Sequence, residues 1–240
     1  MRIDVVTGFP EVLRAPLNES ILKQAQRRID LQIYLQDLRE FTTDKHRTID
    51  DTPYGGGPGM ILKPEPLFNA LEKIFQETGD RAESRVIFPT PQGKQFTQQL
   101  AEQFAGDSHL VFICGHYKGV DQRVIDVWVT DEISVGDFIL TGGEIPTLLM
   151  IDAIVRLIPG VLGDIESART DSFQDGLLDC PYYTRPENFK GMRVPEVLLS
   201  GNHAEIERWR LEQRLSRTKA RRPDLYQKYL KEQNLTEKTK

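Results

Sequence analysis

The stretch DEISVGDFILTGGEIPT, residues 131–147, is where the fold of this chain can first be read. Its centre, 138–140, is a short apolar run that predicts a strand. Glycines flank that run on both sides, at Gly136, Gly142 and Gly143. Glycine adopts positive φ without strain and lets a ligand approach the main chain closely. A long apolar run follows, and Pro146 suits the first turn of a helix. The stretch therefore predicts a strand, a glycine loop and a helix in succession.

A second glycine turn lies just upstream. The apolar run HLVFIC, 109–114, predicts a strand, and GHYKG, 115–119, follows it directly. We call these two strand-to-loop turns the glycine corners. They can form one crevice at the carboxyl ends of neighbouring strands, where open α/β sheets bind ligands. The alternative is a pair of tight turns that bind nothing, because glycine turns are common.

The composition is that of an ordinary soluble globular protein. The chain has 240 residues, of which 39% are hydrophobic and 28% charged, enough for one large or two modest domains. No apolar run approaches the ~20 residues that cross a bilayer, so no membrane partner is expected. The start, MRIDVV, has no signal-peptide layout. Cys114 and Cys180 lie far apart without a CxxC partner, which disfavours disulfides and zinc and favours the reducing cytoplasm.

Periodicity predicts strands that alternate with helices, which indicates a largely parallel α/β sheet. Strands are predicted at 3–7, 31–36, 86–88 and 109–114, with 127–129 extended, and helices at 64–75, 97–104, 120–126 and 144–158. The PTPQG run, 89–93, is expected to end the third strand. The segment 42–63 reads as a functional or disordered loop, and it is not a P-loop because no Lys-Ser/Thr follows its glycines.

The character of the chain changes after Pro159 and Gly160. We expect an α/β domain over 1–162, a linker over 163–170 and a small helical domain over 171–240, with helices at 202–216 and 223–230. The net charge is −5, yet residues 208–222 hold seven Lys and Arg against one Glu. Four arginines there share one helix face by spacing, namely Arg210, Arg214, Arg217 and Arg221. That face predicts phosphate contact, with a merely solvated surface as the alternative.

Seven motifs in register make the chain resemble a known family. They are YGGGPGM (54–60), PTPQG (89–93), CGHYKGVDQR (114–123), SVGDFILTGGE (134–144), RLIPGVLG (156–163), the 171–186 run ending in YYTRP, and VPEVLLSGNHAEIERWR (194–210). Together they resemble TrmD, the bacterial tRNA (guanine-N1)-methyltransferase family, from about residue 2 to about residue 225.

The resemblance implies a fold and an activity that periodicity cannot supply. It implies the SPOUT fold, an α/β domain with a deep trefoil knot that cups S-adenosylmethionine in a bent shape. It also implies a homodimer with each active site built across the subunit interface. The implied substrate is the guanine at position 37 of tRNA, just 3′ of the anticodon, methylated at N1.

The resemblance also implies binding residues. For the methyl donor they are Pro91, Gly93, Gly115, Tyr117, Val135, Gly136, Asp137, Phe138, Ile139, Leu140, Gly142 and Gly143. For tRNA they are Gly59, Asn202 and His203, in addition to the four arginines of the basic face that spacing already predicts. The chain departs from the family at Lys118, where an acid is common, so a contact from that side chain to the donor's ammonium group is not expected.

The implied chemistry uses Asp171 and Arg156. Guanine N1 becomes a nucleophile when its proton leaves, and a carboxylate at Asp171 can act as the general base, worth ~10²–10⁴ in rate. Arg156 would stabilise the negative charge that develops on O6. Without the family, Asp171 could simply cap a helix, and Arg156 could pair with Asp152 one helical turn away. His203 could likewise be only the start of a helix.

Two other functions compete with this one. The chain could be a non-catalytic RNA-binding protein of the same fold, or a knotted methyltransferase that acts on ribosomal RNA. The histidines have no ligand-spaced partners, so no metal ligands are predicted. The resemblance leaves Mg²⁺ open as an assistant to the reaction, and no residues mark a site for it.

Overall fold

A computed structural model of the chain describes residues 1–79, 81–162 and 171–238. The chain forms two compact units, 1–165 and 166–240. The predicted linker, 163–170, lies outside the described residues, and the predicted domain boundaries remain a prediction.

The first unit is built on a five-stranded sheet with the order β2-β1-β6-β5-β7, and every adjacent pair is parallel. Its strands are β1 (Arg2–Thr7), β2 (Gln32–Asp37), β5 (Ser84–Gln95), β6 (His109–Ile113) and β7 (Asp131–Ser134). A separate two-stranded ladder pairs β3 (Asp50–Asp51) with β4 (Ile61–Leu62). The prediction of a largely parallel α/β sheet is confirmed.

Helices cover both faces of the sheet. One face packs on α1 (Glu11–Leu17), α2 (Ser20–Arg28), α4 (Gln98–Ala105) and α6 (Glu144–Val155), and the other on α3 (Pro64–Thr78) and α5 (Gln122–Trp128). Successive residues along a strand project to opposite faces of the sheet. On β6, Leu110 and Phe112 enter one core while Val111 and Ile113 enter the other. Burial on both faces explains why β6 reads as a continuous apolar run.

Asp4 of β1 is fully buried. Its carboxylate accepts hydrogen bonds from Arg2 Nε at 2.6 Å and Gln36 Nε2 at 2.9 Å, and His109 Nε2 lies 2.9 Å away. Burial by itself raises the pKa of Asp4, but the bonds with His109, Arg2 and Gln36 outweigh it and hold that pKa below its ordinary value.

Three local predictions are wrong. The run 138–140 is not a strand, because the preceding residues 131–134 form β7 and occupy that position in the sheet. The PTPQG run does not end β5, which resumes after a register shift between Pro89 and Lys94. Residues 127–128 are helical rather than extended, since Trp128 packs into the core as the last residue of α5.

The second unit has helical and irregular parts. It contains a short hairpin, β8 (Asn188–Phe189) with β9 (Met192–Arg193), and two helices, α7 (His203–Arg221) and α8 (Pro223–Lys238). The two predicted helices are confirmed, and both extend further than predicted. The segment 171–180 is held to α7 by Thr218, whose Oγ1 accepts from Leu178 N at 2.8 Å and donates to the Arg214 carbonyl at 2.7 Å.

No helix among the described residues is long and apolar enough to span a bilayer.

Candidate active site

A cavity of 420 Å³ lies beside the register shift of β5 and at the carboxyl ends of β6 and β7. Three segments and Pro146 line it: 88–91 within β5, 115–119 after β6, and 133–143 without Asp137, which begins in the last two residues of β7. The three strands are neighbours in the sheet, so residues far apart in sequence meet at one edge. The structure therefore brings the two glycine corners into one crevice.

Backbone contacts fix the two corners against each other. Gly143 N donates to the Gly115 carbonyl at 2.7 Å, and His116 forms an isolated antiparallel bridge with Gly142. A side chain at Gly143 would place its Cβ 2.8 Å from Cys114 Cα. Glycine is needed there because of this close approach, since its φ of −80° suits any residue.

Apolar side chains form the rim of the cavity. Tyr117, Phe138, Ile139 and Leu140 are all exposed, and Ile139 most of all at 79%. Exposed apolar side chains next to backbone N–H and C=O groups suit a flat, partly polar ring. Partial desolvation raises the pKa of the Tyr117 hydroxyl, and the negative charge of Asp50 adds to that shift, so this side chain stays a neutral phenol.

A buried polar network stands behind the glycine loop. Thr7 Oγ1 donates to Glu144 Oε1 at 2.7 Å and accepts from Phe9 N at 2.9 Å, and Thr7 and Glu144 are both buried. His116 Nε2 lies 3.6 Å from Glu144 Oε2. This network joins β1, the first turn of α6 and the cavity wall.

Cys114 lies beside that network and is buried. Burial and the charge of Glu144 raise the pKa of its thiol, so it remains protonated and is not a nucleophile.

The end of the 42–63 segment is ordered against the cavity. Lys118 N donates to the Met60 carbonyl at 3.0 Å, and Leu62 N donates to the Gly119 carbonyl at 3.0 Å. The side chain of Lys118 covers Gly59, where an added Cβ would lie 2.7 Å from Lys118 Cγ. The end of the segment is therefore hydrogen-bonded to the loop at 115–119, which lines the cavity.

Ten of the twelve residues predicted for the donor site line this cavity; Gly93 and Asp137 do not. Gly93 packs against β7 instead, since a Cβ there would lie 2.3 Å from the carbonyl carbon of Glu132. Sequence reasoning did not assign ten further lining residues: Phe88, Pro89, Thr90, His116, Lys118, Gly119, Ile133, Ser134, Thr141 and Pro146. Each of them lies within three residues of a predicted one, and His116, Lys118 and Gly119 belong to the glycine turn 115–119 that was expected to border a crevice.

Arg156 and Asp171 lie in different units. Arg156 is the C-terminal cap of α6 and is half-buried. Asp171 is also half-buried and begins a series of turns, so the alternative that it caps a helix is wrong.

The residues predicted to bind tRNA differ in their surroundings. Asn202 caps α7, accepting from Glu205 N at 3.4 Å, and His203 is the first residue of that helix. Arg210 pairs with Glu207 at 2.6 Å. Arg214 is only 18% exposed and pairs with Asp175 of its own unit. Arg217 is half-buried and Arg221 is exposed at the end of α7.

Among the described residues, no three His, Cys, Asp or Glu side chains come together in a way that could hold a metal ion.

Comparison with known proteins gives one family. The family model described as tRNA (Guanine-1)-methyltransferase TrmD matches residues 1–228. A protein of Staphylococcus carnosus is 55% identical over 229 residues, which are 95% of this chain and 92% of that protein. A protein of Anoxybacillus flavithermus is 51% identical over 240 residues, all of this chain and 96% of that protein. Both are named tRNA (guanine-N(1)-)-methyltransferase.

Proposed function

The chain belongs to the tRNA (guanine-1)-methyltransferase family TrmD, and from that membership we propose that it methylates N1 of the guanine at position 37 of tRNA, just 3′ of the anticodon. The methyl donor is S-adenosylmethionine. The observation that supports the proposal is the cavity bordered by β5, β6 and β7, whose lining lies within the matched residues 1–228.

The cavity suits the donor in size and chemistry. Its 420 Å³ falls in the ~300–1,000 Å³ range of small-molecule sites. Phe138, Ile139 and Leu140 offer apolar surface for the adenine, and the loop at 115–119 offers backbone hydrogen bonds. Lys118 brings a positive charge to the lining, so the carboxylate of the donor suits that corner better than its ammonium group.

Asp171 and Arg156 carry the chemistry in this proposal. S-adenosylmethionine supplies an activated methyl group on its sulfonium. Asp171 takes the N1 proton as the bond from N1 to the methyl carbon forms and the carbon–sulfur bond breaks. Arg156 stabilises the charge that builds on O6. The products are the methylated tRNA, S-adenosylhomocysteine and the proton on Asp171.

The proposal includes a knot and a homodimer. The bond from Gly143 to Gly115 and the bridge between His116 and Gly142 bring the two loops of the proposed trefoil together. On α6, Ile145 and Leu149 are exposed and border an apolar groove with α1 and α2. A second copy would cover that groove and complete each active site across the interface. The proposed compartment is the cytoplasm, which is consistent with two free, buried cysteines.

The test is methyl transfer from labelled S-adenosylmethionine to an unmodified tRNA transcript. We expect Asp171→Asn to lower the rate ~100-fold or more, since a general base is worth ~10²–10⁴. Its Kd for the donor, measured by calorimetry, should stay within about twofold of the wild type, because the donor cavity lies wholly in the first unit. A transcript with adenosine at position 37 serves as the control and should accept no methyl group.

Normal turnover by Asp171→Asn would remove Asp171 from the mechanism. Absence of transfer by the wild type to every tRNA tested would overturn the proposed function.

A further inference from the structure

Twelve consecutive residues of the second unit, 182–193, are all exposed. We call them the hairpin segment. It includes two tyrosines, a phenylalanine and a methionine, namely Tyr182, Tyr183, Phe189 and Met192. Large apolar side chains exposed together in this way indicate a surface that meets a partner.

The exposure does not come from a frayed loop, because the hairpin segment is tied by hydrogen bonds. The turn places Lys190 and Gly191 at φ of 54° and 82°, the paired positive values of the tightest hairpin turns. Asn188 Oδ1 accepts from Gly191 N at 3.0 Å. At the open end, Val194 N donates to the Glu187 carbonyl at 2.9 Å. The side chains are therefore presented on a defined scaffold.

The register puts two of these apolar side chains on one face. Phe189 lies opposite Met192 in the antiparallel ladder, so both side chains project from the same side. They are 54% and 66% exposed. Lys190 Nζ lies 5.4 Å from the centroid of the Phe189 ring, which places a positive charge at the edge of that face.

The charge of the hairpin segment favours a polyanion. Arg185, Lys190 and Arg193 are basic against one acid, Glu187. Among the described residues, none of these three cations forms a salt bridge with a carboxylate. Cations without acidic partners beside exposed rings are the combination with which proteins bind single-stranded nucleic acid, where rings stack on bases and cations meet phosphates.

We propose that the hairpin segment binds an unpaired stretch of the tRNA, with a base stacked on Phe189 and a phosphate held by Lys190. The identity of the RNA rests on the proposed function. This contact lies outside the basic face of α7, and it is specific to unpaired nucleotides because a ring can stack only on a base that has left its helix.

The ring is tested by Phe189→Leu and Phe189→Trp. Leucine keeps an apolar side chain in the hairpin without a flat face, and tryptophan keeps the flat face. We expect Phe189→Leu to weaken tRNA binding about 5- to 100-fold, the effect of one lost base–aromatic stack, and Phe189→Trp to bind as the wild type does. The measurement is the Kd for labelled tRNA by filter binding, with the Kd for S-adenosylmethionine as the check that the first unit is unaffected.

The cation is tested by the salt dependence of the same Kd. Lys190→Gln should lower the slope of log Kd against log salt by about 0.7, the effect of one phosphate contact on a single strand. Lys73→Gln is the matched control. Lys73 Nζ also lies 5.4 Å from a ring centroid, that of Phe41, but it belongs to the first unit and should leave the slope unchanged.

Equal tRNA affinity for Phe189→Leu and Phe189→Trp would overturn the proposal. So would a change of sedimentation mass in Phe189→Leu at unchanged tRNA affinity, because the face would then be a contact between proteins. These outcomes are separable from failure of the proposed function: a wild type that methylates tRNA while both variants bind equally refutes the stacking contact alone.

Discussion

Replacing Thr7 with valine removes the hydroxyl that joins β1 to the first turn of α6. The change is nearly isosteric, and it leaves two groups without their partner. These are Glu144 Oε1, which receives the hydroxyl proton at 2.7 Å, and Phe9 N, which donates to the hydroxyl at 2.9 Å. Thr7 is fully buried and Glu144 nearly so, so water cannot easily replace the lost bonds.

The magnitude follows from these two bonds. A hydrogen bond to a charged group contributes about 1.5–3 kcal/mol and a neutral one about 0.5–1.5 kcal/mol. The free energy of unfolding of the first unit should therefore fall by about 2–4 kcal/mol. With a urea m-value of ~2 kcal/mol/M, the midpoint shifts by roughly 1–2 M.

Urea unfolding can be followed in the first unit alone. The chain has two tryptophans, Trp128 in the first unit and Trp209 in the second. A Trp209→Phe background leaves Trp128, which is stacked on Phe75, as the fluorescent reporter. Thr147→Val is the matched control, because among the described residues the hydroxyl of this buried threonine has only Cys114 Sγ at 3.4 Å as a hydrogen-bond partner, and its loss should cost less than ~1 kcal/mol.

Thr7→Ser distinguishes the contribution of the hydroxyl to stability from that of the methyl group. It keeps both hydrogen bonds and loses one buried methyl group, so it should cost about 1 kcal/mol. Thr7→Val should therefore be the more damaging change, although valine is the more apolar residue. Equal costs for Thr7→Val and Thr147→Val, or a larger cost for Thr7→Ser, would refute the role given to the buried network.

Three further predictions concern the cavity, the sheet and α7. Gly143→Ala should weaken donor binding at least ~10-fold by calorimetry, because its Cβ would lie 2.8 Å from a backbone atom, whereas Gly106→Ala, with 3.4 Å to its nearest neighbour, should not. The lowered pKa of Asp4 stabilises the fold above pH ~4 and is lost as the pH falls below that value, so Asp4→Asn should flatten acid unfolding followed by circular dichroism. Arg217→Gln and Arg221→Gln should each reduce the salt slope of tRNA binding by about 0.7–0.9.

Each of these has an outcome that contradicts it. Normal donor affinity in Gly143→Ala would mean that the two glycine corners can separate without loss. An acid transition of Asp4→Asn as steep as that of the wild type would assign the pH dependence to other carboxylates. For α7, Arg214→Gln is the comparison: since Arg214 pairs with Asp175, it should destabilise the second unit to urea, and an effect on the salt slope alone would contradict its structural role.

Periodicity was sufficient wherever burial decides the structure. The strands around Val5 and Val111 are buried on both faces, and a continuous apolar run in a sequence that alternates with helices predicts such strands. The glycine corners could also be predicted to meet, because the carboxyl ends of parallel strands share one edge of the sheet. What periodicity could not supply is the register shift after Pro89, since residues 90–93 leave the ladder and only pairing with β7 reveals it.

The face of α7 shows a different limit. Spacing places Arg210, Arg214, Arg217 and Arg221 on one side of the helix, and the helix does extend to Arg221. Spacing cannot show that Arg214 pairs with Asp175, because Asp175 lies 39 residues earlier in the sequence. Asp175 reaches α7 through the packing of 171–180 on that helix. A side chain that is 18% exposed offers little surface to a phosphate. Fewer arginines of this face are therefore available to a phosphate than the spacing indicates.

The wrong strand at 138–140 and the unpredicted hairpin segment have one cause. A short apolar run has the same sequence pattern whether its side chains are buried in a core or exposed at a binding site, because periodicity depends on polarity and not on burial. In the structure Ile139 is 79% exposed at the cavity and Met192 is 66% exposed on the hairpin, while Ile133, five residues before the first residue of the mispredicted run, is fully buried in β7. Exposed apolar surface on an ordered backbone lowers the free energy only when something covers it.

Binding of the donor and of the tRNA should therefore each reduce the heat capacity of the system, and titration calorimetry at several temperatures would measure both changes. A donor that bound without a negative heat-capacity change would not be covering residues 138–140.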